Sequence, residues 1–366
     1  MRRISIEYAK PEMELAKPLY DKWGNMLMSS GAILNERHLR LLPHKGVREL
    51  SIEDSRVDDV VWDPLVKPET QQEAIKAMSD VISINQKCGG IRNPKDPKLT
   101  SARLNLEKVG FTITQEVLTS VMGEPDLSGC LLNDDYYYVQ PVQAAILAVL
   151  LAKEVGFSDN DLINVGKAAM LQNIGYAWLP PQIFKKTTVL SPEETQEFEK
   201  HPLYGAEILR QYGQTPPQVI EAVLQHHERW NGSGYPNKTR GWDISPFAQI
   251  IGIADAYYDL VSIRPWREPY KQMNAFEYVM AYGGELFDPE WVQVFSRHVP
   301  IYPCGVMVKL TTGEIGIVVD ANLGHVGRPI IRVFNDTIGN EVSTPYDIDL
   351  SQPEYQRKLI AQLLEI

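Results

Sequence analysis

Apolar and polar positions alternate from residue 3 to about residue 60. Gly24-Asn25 lies between two strand-like stretches, and a short helix near Glu36 to Leu42 is closed by Gly46. This end of the chain predicts a small α+β unit over residues 1–60. The stretch DVVWDPLVKPETQQ, Asp59 to Gln72, reads as a linker, and residues 61–130 as linker and leading helices. From Gln71 to about His298 apolar residues recur three and four apart, as in Gln143 to Val155, Asp161 to Leu171, Pro202 to Tyr212 and Gln218 to His227. That spacing predicts helices, with a main helical domain at 131–300. After Tyr302-Pro303 the period falls to two, through VMVKL, a Thr-Thr-Gly-Glu turn, IGIVV and IIRVF. A small β module at 301–366 is expected there, ending in an amphipathic helix from Glu354 to Leu364.

The chain has 366 residues, 44% of them hydrophobic, enough for buried cores and for two or three domains. A net charge of -11 argues against non-specific nucleic-acid binding, because a polyanion needs clustered Lys and Arg. Any nucleotide ligand must then be met by local basic residues. Cys88, Cys130 and Cys304 are far apart and odd in number, which suggests neither a disulfide framework nor a Cys-based zinc site. The start, MRRISIEYAKPEMEL, lacks an apolar h-region, and the longest strongly apolar run, Ala144 to Ala152, is short of the ~20 residues that span a bilayer. The expectation is a cytoplasmic protein with no membrane segment.

Candidate chemistry is concentrated in a few places. HHERWNGSGYPN, residues 226 to 237, sets His226 and His227 about 100° apart at a helix end, where they converge on one centre only if that face lines a cleft. A capping pair, favoured by the helix dipole, is the plainer alternative. Asp255 lies in the apolar run FAQIIGIADAYYDLV, where a carboxylate needs a cation, a metal or several donors. Asp259, one turn on, either faces solvent or pairs with Arg264. Gln172-Asn173 end an apolar helix and need partners, or Asn173 ends it with Gly175 as cap. His201 opens HPLYGAEILRQYG, where a lone histidine reads as readily as a cap or surface residue.

Four stretches, MLQNIGYAWLP, EKHPLYGAEIL, HHERWNGSGYP and IADAYYDLVSIRPWR, together resemble the HD-GYP family, bacterial metal-dependent phosphodiesterases of the HD superfamily that cleave cyclic di-GMP. The resemblance implies a mainly α fold, an HD-type helical bundle with a metal site in its core, flanked by the small N-terminal α+β unit and the small C-terminal β module. It also implies departures from the family pattern. The family's first metal histidine falls on Gln140, and the acid one turn earlier, used for an additional metal in some members, on Tyr136. The name-giving His-Asp pair is Gln172-Asn173, and the lysine three residues later is Tyr176. His201, His226 and His227 match as metal histidines and Asp255 as the late carboxylate. The GYP loop persists as Gly234-Tyr235-Pro236, preceded by Asn231 in place of an aspartate, and Tyr258 stands at a second acid position. Arg264 and Arg267 fall on the basic residues that contact nucleotide phosphate. The exposed GYP loop is similar to one proposed to dock GGDEF-type cyclase domains.

Two dications a few ångströms apart need anions between them, and Asn173 has the shape of aspartate without its charge. Gln140 and Gln172 remove imidazoles from the same position, so one metal site is expected to be empty. His201, His226 and His227 can still hold one divalent ion, Zn, Fe or Mn, with an open position. The expected function is a degenerate signalling protein, catalytically impaired, that binds cyclic di-GMP, a related nucleotide or a protein partner. The alternative is a phosphodiesterase with a mononuclear site and Asp255 as base. A scaffold with neither ligand nor chemistry is the third reading.

Overall fold

The computed structural model describes residues 1–21, 25–45, 47–60, 64–88, 95–120, 136–184, 186–264 and 266–364. Gly24 and Gly46, expected as turn and cap, lie outside them. The chain divides into two compact units, one of Met1–Asp63 with Ser296–Ile366, the other of Pro64–Cys130 with Asp134–Phe295.

In the first unit, β1 (Arg2–Ser5), β2 (Leu19–Tyr20), β3 (Met26–Met28), α1 (Glu36–Leu41) and β4 (Glu49–Ile52) enclose Ile4, Leu15, Leu34 and Leu50. β1 pairs antiparallel with β4, Ile4 opposite Leu50, and β2 pairs with β3. Further along, β5 (Met307–Leu310), β6 (Ile315–Asp320), β7 (Ile330–Asn335), β8 (Glu341–Asp349) and β9 (Ile360–Leu364) form an antiparallel sheet in the order β8-β7-β6-β5-β9. The alternation read in VMVKL and IGIVV sorts as expected. Val308, Leu310 and Val318 enter one cluster, while Met307, Ile317 and Val319 enter another on the opposite face.

The expected helix at Glu354–Leu364 is not there. Pro353–Tyr355 form a single 3-10 turn, and Ile360–Leu364 is strand β9, with Leu363 opposite Val308 and Gln362 opposite Lys309. The open edge of β5 offers backbone donors and acceptors in register, and satisfying them outweighs the helical spacing of the sequence. The two ends of the chain also share one core. Val57 packs with Met307, Ile317 and Phe334, and the Arg3 amide donates to the Gly305 carbonyl at 2.8 Å. Nor is the whole of Asp59–Gln72 a linker, because Asp59 pairs with Arg332 and a helix begins at Pro68.

The second unit is helical: α2 (Pro68–Cys88), α3 (Pro97–Thr119), α4 (Tyr136–Val155), α5 (Asp159–Leu171), α6 (Pro181–Phe184), α7 (Pro192–Phe198), α8 (His201–Tyr212), α9 (Pro217–Gln225), α10 (Pro246–Val261) and α11 (Gln272–Ala281), with α12 (Pro289–His298) leaving it. Starts and stops follow local chemistry. Ser158 caps α5 by accepting from the Asp161 amide, proline opens α8, α9 and α10, and α8 ends at Gly213 with φ 71°.

Residues Tyr137–Val155 of α4 are long and apolar enough to cross a bilayer, with mean hydropathy 1.3, but 78% of that window is buried inside the unit. α4 packs against α2, α3, α5 and α10, and a helix apolar on all sides is accounted for by that central place. α10 lies along it, carrying Asp255 in its buried run. The first turn of α8, the end of α9, the middle of α10 and a 3-10 segment, Ile174–Trp178, after α5 converge beside it.

Candidate metal centre and cleft

His201 stands at the first position of α8 and His226 caps the end of α9; both side chains are 0% exposed. Neither is the surface or simple capping residue that the local sequence also permitted. His201 Nδ1 lies 2.8 Å from the Phe198 carbonyl, and His226 Nδ1 lies 2.8 Å from the Val223 carbonyl. A carbonyl only accepts, so both Nδ1 atoms carry the proton and donate. Burial pushes the affinity of both rings for a second proton down, so both are neutral near pH 7 with bare Nε2 lone pairs. Those two atoms face each other at 3.3 Å.

Two lone pairs at that separation repel unless a cation sits between them. Bonds of about 2.0–2.1 Å to zinc at the tetrahedral angle place two nitrogens about 3.3 Å apart, so the donor set fits a metal. His227 completes it. One ligand atom from each of His201, His226 and His227 lies within 4.8 Å of the others. Burial and the neighbouring imidazoles hold the His227 ring well below the usual histidine range, again the neutral form that a metal requires.

Asp255 is 6% exposed and approaches this group, its Oδ2 lying 3.8 Å from His227 Nδ1. Its other oxygen is engaged: the Gln140 amide donates to Asp255 Oδ1 at 2.8 Å and to the Asp255 carbonyl at 3.1 Å. Gln172 and Asn173 are buried. Among the described residues, Gln172 Nε2 and Oε1 and Asn173 Oδ1 have no hydrogen-bond partner. Asn173 does not end α5 with Gly175 as a left-handed cap; it leads into the 3-10 segment instead. Gly175 in that segment lies directly on the first turn of α8, where a Cβ would sit 2.6 Å from the Gly205 amide nitrogen and closer still to the His201 carbonyl. That absent side chain lets the two backbones approach.

Tyr176 packs edge-on to His201, with centroids 4.9 Å apart, and joins Tyr137 and Phe198 as the aromatic wall of a cleft of about 350 Å³. Tyr136 opens α4, but its side chain lies outside the described residues. The GYP tripeptide is not exposed as expected. Gly234 is buried under the His227 carbonyl, where a Cβ would sit 2.5 Å from the Arg229 amide nitrogen, and Tyr235 stacks on the His227 ring at 4.7 Å. Tyr235 therefore lines the cleft, and Pro236 is half-buried beside it.

Arg264 and Arg267 also line the cleft, joined backbone to backbone across a tight turn. Arg264 pairs with Asp259, and Arg267 donates to the Asp259 carbonyl and lies 3.5 Å from its carboxylate. Arg267 is thus tied down and not simply solvated. Sequence reasoning gave no role to Arg229, Tyr137, Phe198 or Tyr278, all of which line the cleft. Arg229 could have been singled out by its place two residues after the histidine pair.

Residues 131–291 match the model of the HD domain family, and residues 307–356 match that of the KOW domain associated with the HD domain. The chain is 29% identical over 226 residues to a cyclic di-GMP phosphodiesterase of Pseudomonas aeruginosa, covering 61% of this chain and 54% of that protein. It is 34% identical over 148 residues to a cyclic di-GMP phosphodiesterase of Thermotoga maritima, covering 40% of each. An HDG"Y"P protein from Bdellovibrio bacteriovorus, a solved structure, aligns over 80% of this chain and 97% of its own with 16% identity and a TM-score of 0.44. The chain spans about half the length, or less, of these two curated relatives.

Proposed function

The chain belongs to the HD-GYP family, and from that premise we propose that it is a signalling protein that receives cyclic di-GMP or a related cyclic dinucleotide in the cleft beside His227, with hydrolysis lost or strongly reduced. His201, His226 and His227 would hold one divalent ion, Zn, Fe or Mn. Bound by three imidazoles with an open position, such an ion supplies a Lewis acid and a hydroxide at neutral pH.

One observation carries the loss of activity. One oxygen of the Asp255 carboxylate, which in a complete two-metal site would face the second ion, accepts from the Gln140 amide. The positions where the family resemblance puts its His-Asp pair hold neutral, buried Gln172 and Asn173, which bring no charge to balance a second dication. An amide oxygen is also a poor transition-metal ligand. Tyr176 adds to this, since its buried phenol is held protonated by desolvation and by the Asp255 charge and supplies no cation to a leaving group.

Arg264 and Arg267 contribute positive charge at the mouth of the cleft, and the Tyr235 and Tyr137 rings offer faces to a base. A protein partner, including a GGDEF-type cyclase domain, would meet the loop at Asn231, Ser233 and Asn237 and at the neighbouring Trp242, which is 75% exposed.

The test is anaerobic purification, metal analysis and chromatography of cyclic di-GMP with Fe(II), Mn(II) or Zn(II) supplied in turn, together with calorimetric binding. Binding without product is the expected result. Product formation abolished by His227→Ala would replace this reading with a mononuclear phosphodiesterase, which the closeness of Asp255 to His227 would serve.

A further inference from the structure

The anionic ligand proposed above meets a cleft that already contains two carboxylates, Asp255 and Asp259. An anion entering beside them needs cationic donors not already committed to those groups. The two arginines nearest Asp259 are committed, Arg264 to its carboxylate and Arg267 to both its carboxylate and its carbonyl. The three together bring a net charge of about +1, with the guanidinium forks turned toward the acid.

Arg229 differs. It lines the same cleft from the segment just after the histidine pair. Its guanidinium lies over the Phe287 ring at 5.4 Å, and its Nη1 lies 3.2 Å from the Glu228 carbonyl and 3.5 Å from the His226 carbonyl. Among the described residues no carboxylate lies within ion-pair distance of it. These contacts hold the guanidinium without neutralising its charge. The charge stands in the cleft, whose lining Arg229 shares with His227, Tyr235 and Tyr278.

We propose that Arg229 is the phosphate-recognising residue of the cleft, donating its unspent N–H groups to a phosphodiester oxygen, while Arg264 and Arg267 serve chiefly to neutralise Asp259. The inference rests on the cleft being the nucleotide site. It moves ligand recognition from the loop after α10 to the segment after α9, next to the three histidines.

The test is calorimetric titration of the metal-loaded full chain with cyclic di-GMP, and separately with inorganic pyrophosphate, for the wild type, Arg229→Gln, Arg229→Lys and Asp259→Asn. Arg229→Gln deletes the charge together with the guanidinium contact on Phe287. It is expected to weaken cyclic di-GMP binding about tenfold to a hundredfold, the value of a charge-assisted hydrogen bond, with metal content unchanged. Arg229→Lys retains part of the affinity, and Asp259→Asn, by releasing two guanidiniums, tightens it. Equal binding by wild type and Arg229→Gln would overturn the inference while leaving the nucleotide reading intact. If the wild type ignores cyclic di-GMP but binds pyrophosphate in an Arg229-dependent way, the nucleotide reading fails and the anion site stands. Failure to bind either probe overturns both.

Discussion

If the three-histidine cluster holds a divalent ion, as proposed above, stripping it is expected to lower the melting temperature of the helical unit by an amount that the site geometry bounds. In the metal-free protein the Nε2 lone pairs of His201 and His226 face each other at 3.3 Å in a fully buried pocket, and both Nδ1 protons are already spent on backbone carbonyls. Binding an ion removes that repulsion and adds linkage energy. At a free metal concentration of 100 times the dissociation constant, linkage amounts to about 2.7 kcal/mol. For a unit of 150–250 residues, each kcal/mol moves the midpoint by about 2–4 °C, so a shift of about 5–10 °C is expected on reloading. Differential scanning calorimetry of chelated protein, then of protein resupplied with Zn(II), Mn(II) or anaerobic Fe(II), reads it directly. His226→Ala abolishes the shift whatever its own baseline, because two imidazoles remain of the three. A wild type that shows no shift and retains no metal after reconstitution would refute the reasoning. One of the two rings would then have to carry a proton between the nitrogens, which ¹⁵N chemical shifts would reveal.

Gly175→Ala drives a methyl group into backbone atoms of α8 that have no free end to move aside. It is expected to cost about 1–3 kcal/mol in urea unfolding and to pull His201 away from His226, so metal occupancy falls with stability. Gln140→Leu deprives the buried Asp255 carboxylate of its amide donor and is expected to destabilise by about 1.5–3 kcal/mol; an unchanged denaturation midpoint would show that this bond carries no weight. Truncation before Ile360 removes β9 and leaves the edge of β5 unpaired, so concentration-dependent light scattering should rise on mild heating. Arg332→Ala, by contrast, breaks pairs with Asp59 and Asp347 that are 62% and 44% exposed, and a loss above about 1 kcal/mol would contradict the ordinary weakness of surface ion pairs.

Local periodicity was enough for the elements that bury one face or all faces within their own unit. α5, α8 and α9 fall within a few residues of their apolar spacing, and β5, β6 and β7 coincide with the alternating stretches. It failed where a distant backbone decided. Glu354 to Leu364 has helical spacing, yet its last five residues become a strand because β5, some fifty residues earlier, has an edge to satisfy. The joining of Val57 to Met307 and Phe334 has no local signature at all, since its partners lie about 250 residues apart in the chain. Such pairings follow from the burial of whole faces, which no window of sequence contains.

The same division runs through the site. Asp255 was legible because a carboxylate in an apolar helix is costly unless it meets something, whereas His201, His226 and His227 were picked out as a set only by the resemblance of their stretches to a family; the structure brings the four together. What each one meets was not legible, because partners such as the Phe198 and Val223 carbonyls are backbone groups without a residue signature. Glycine misled for a related reason. In GSGYP it reads as an exposed turn, but Gly234 is used for its missing Cβ under the His227 carbonyl, and that close approach is what seats Tyr235 on His227. The loop is therefore part of the wall of the cleft. A ligand that displaces Tyr235 from His227 would move the loop that a partner protein would contact, which gives binding in the cleft beside the three histidines a direct route to the surface.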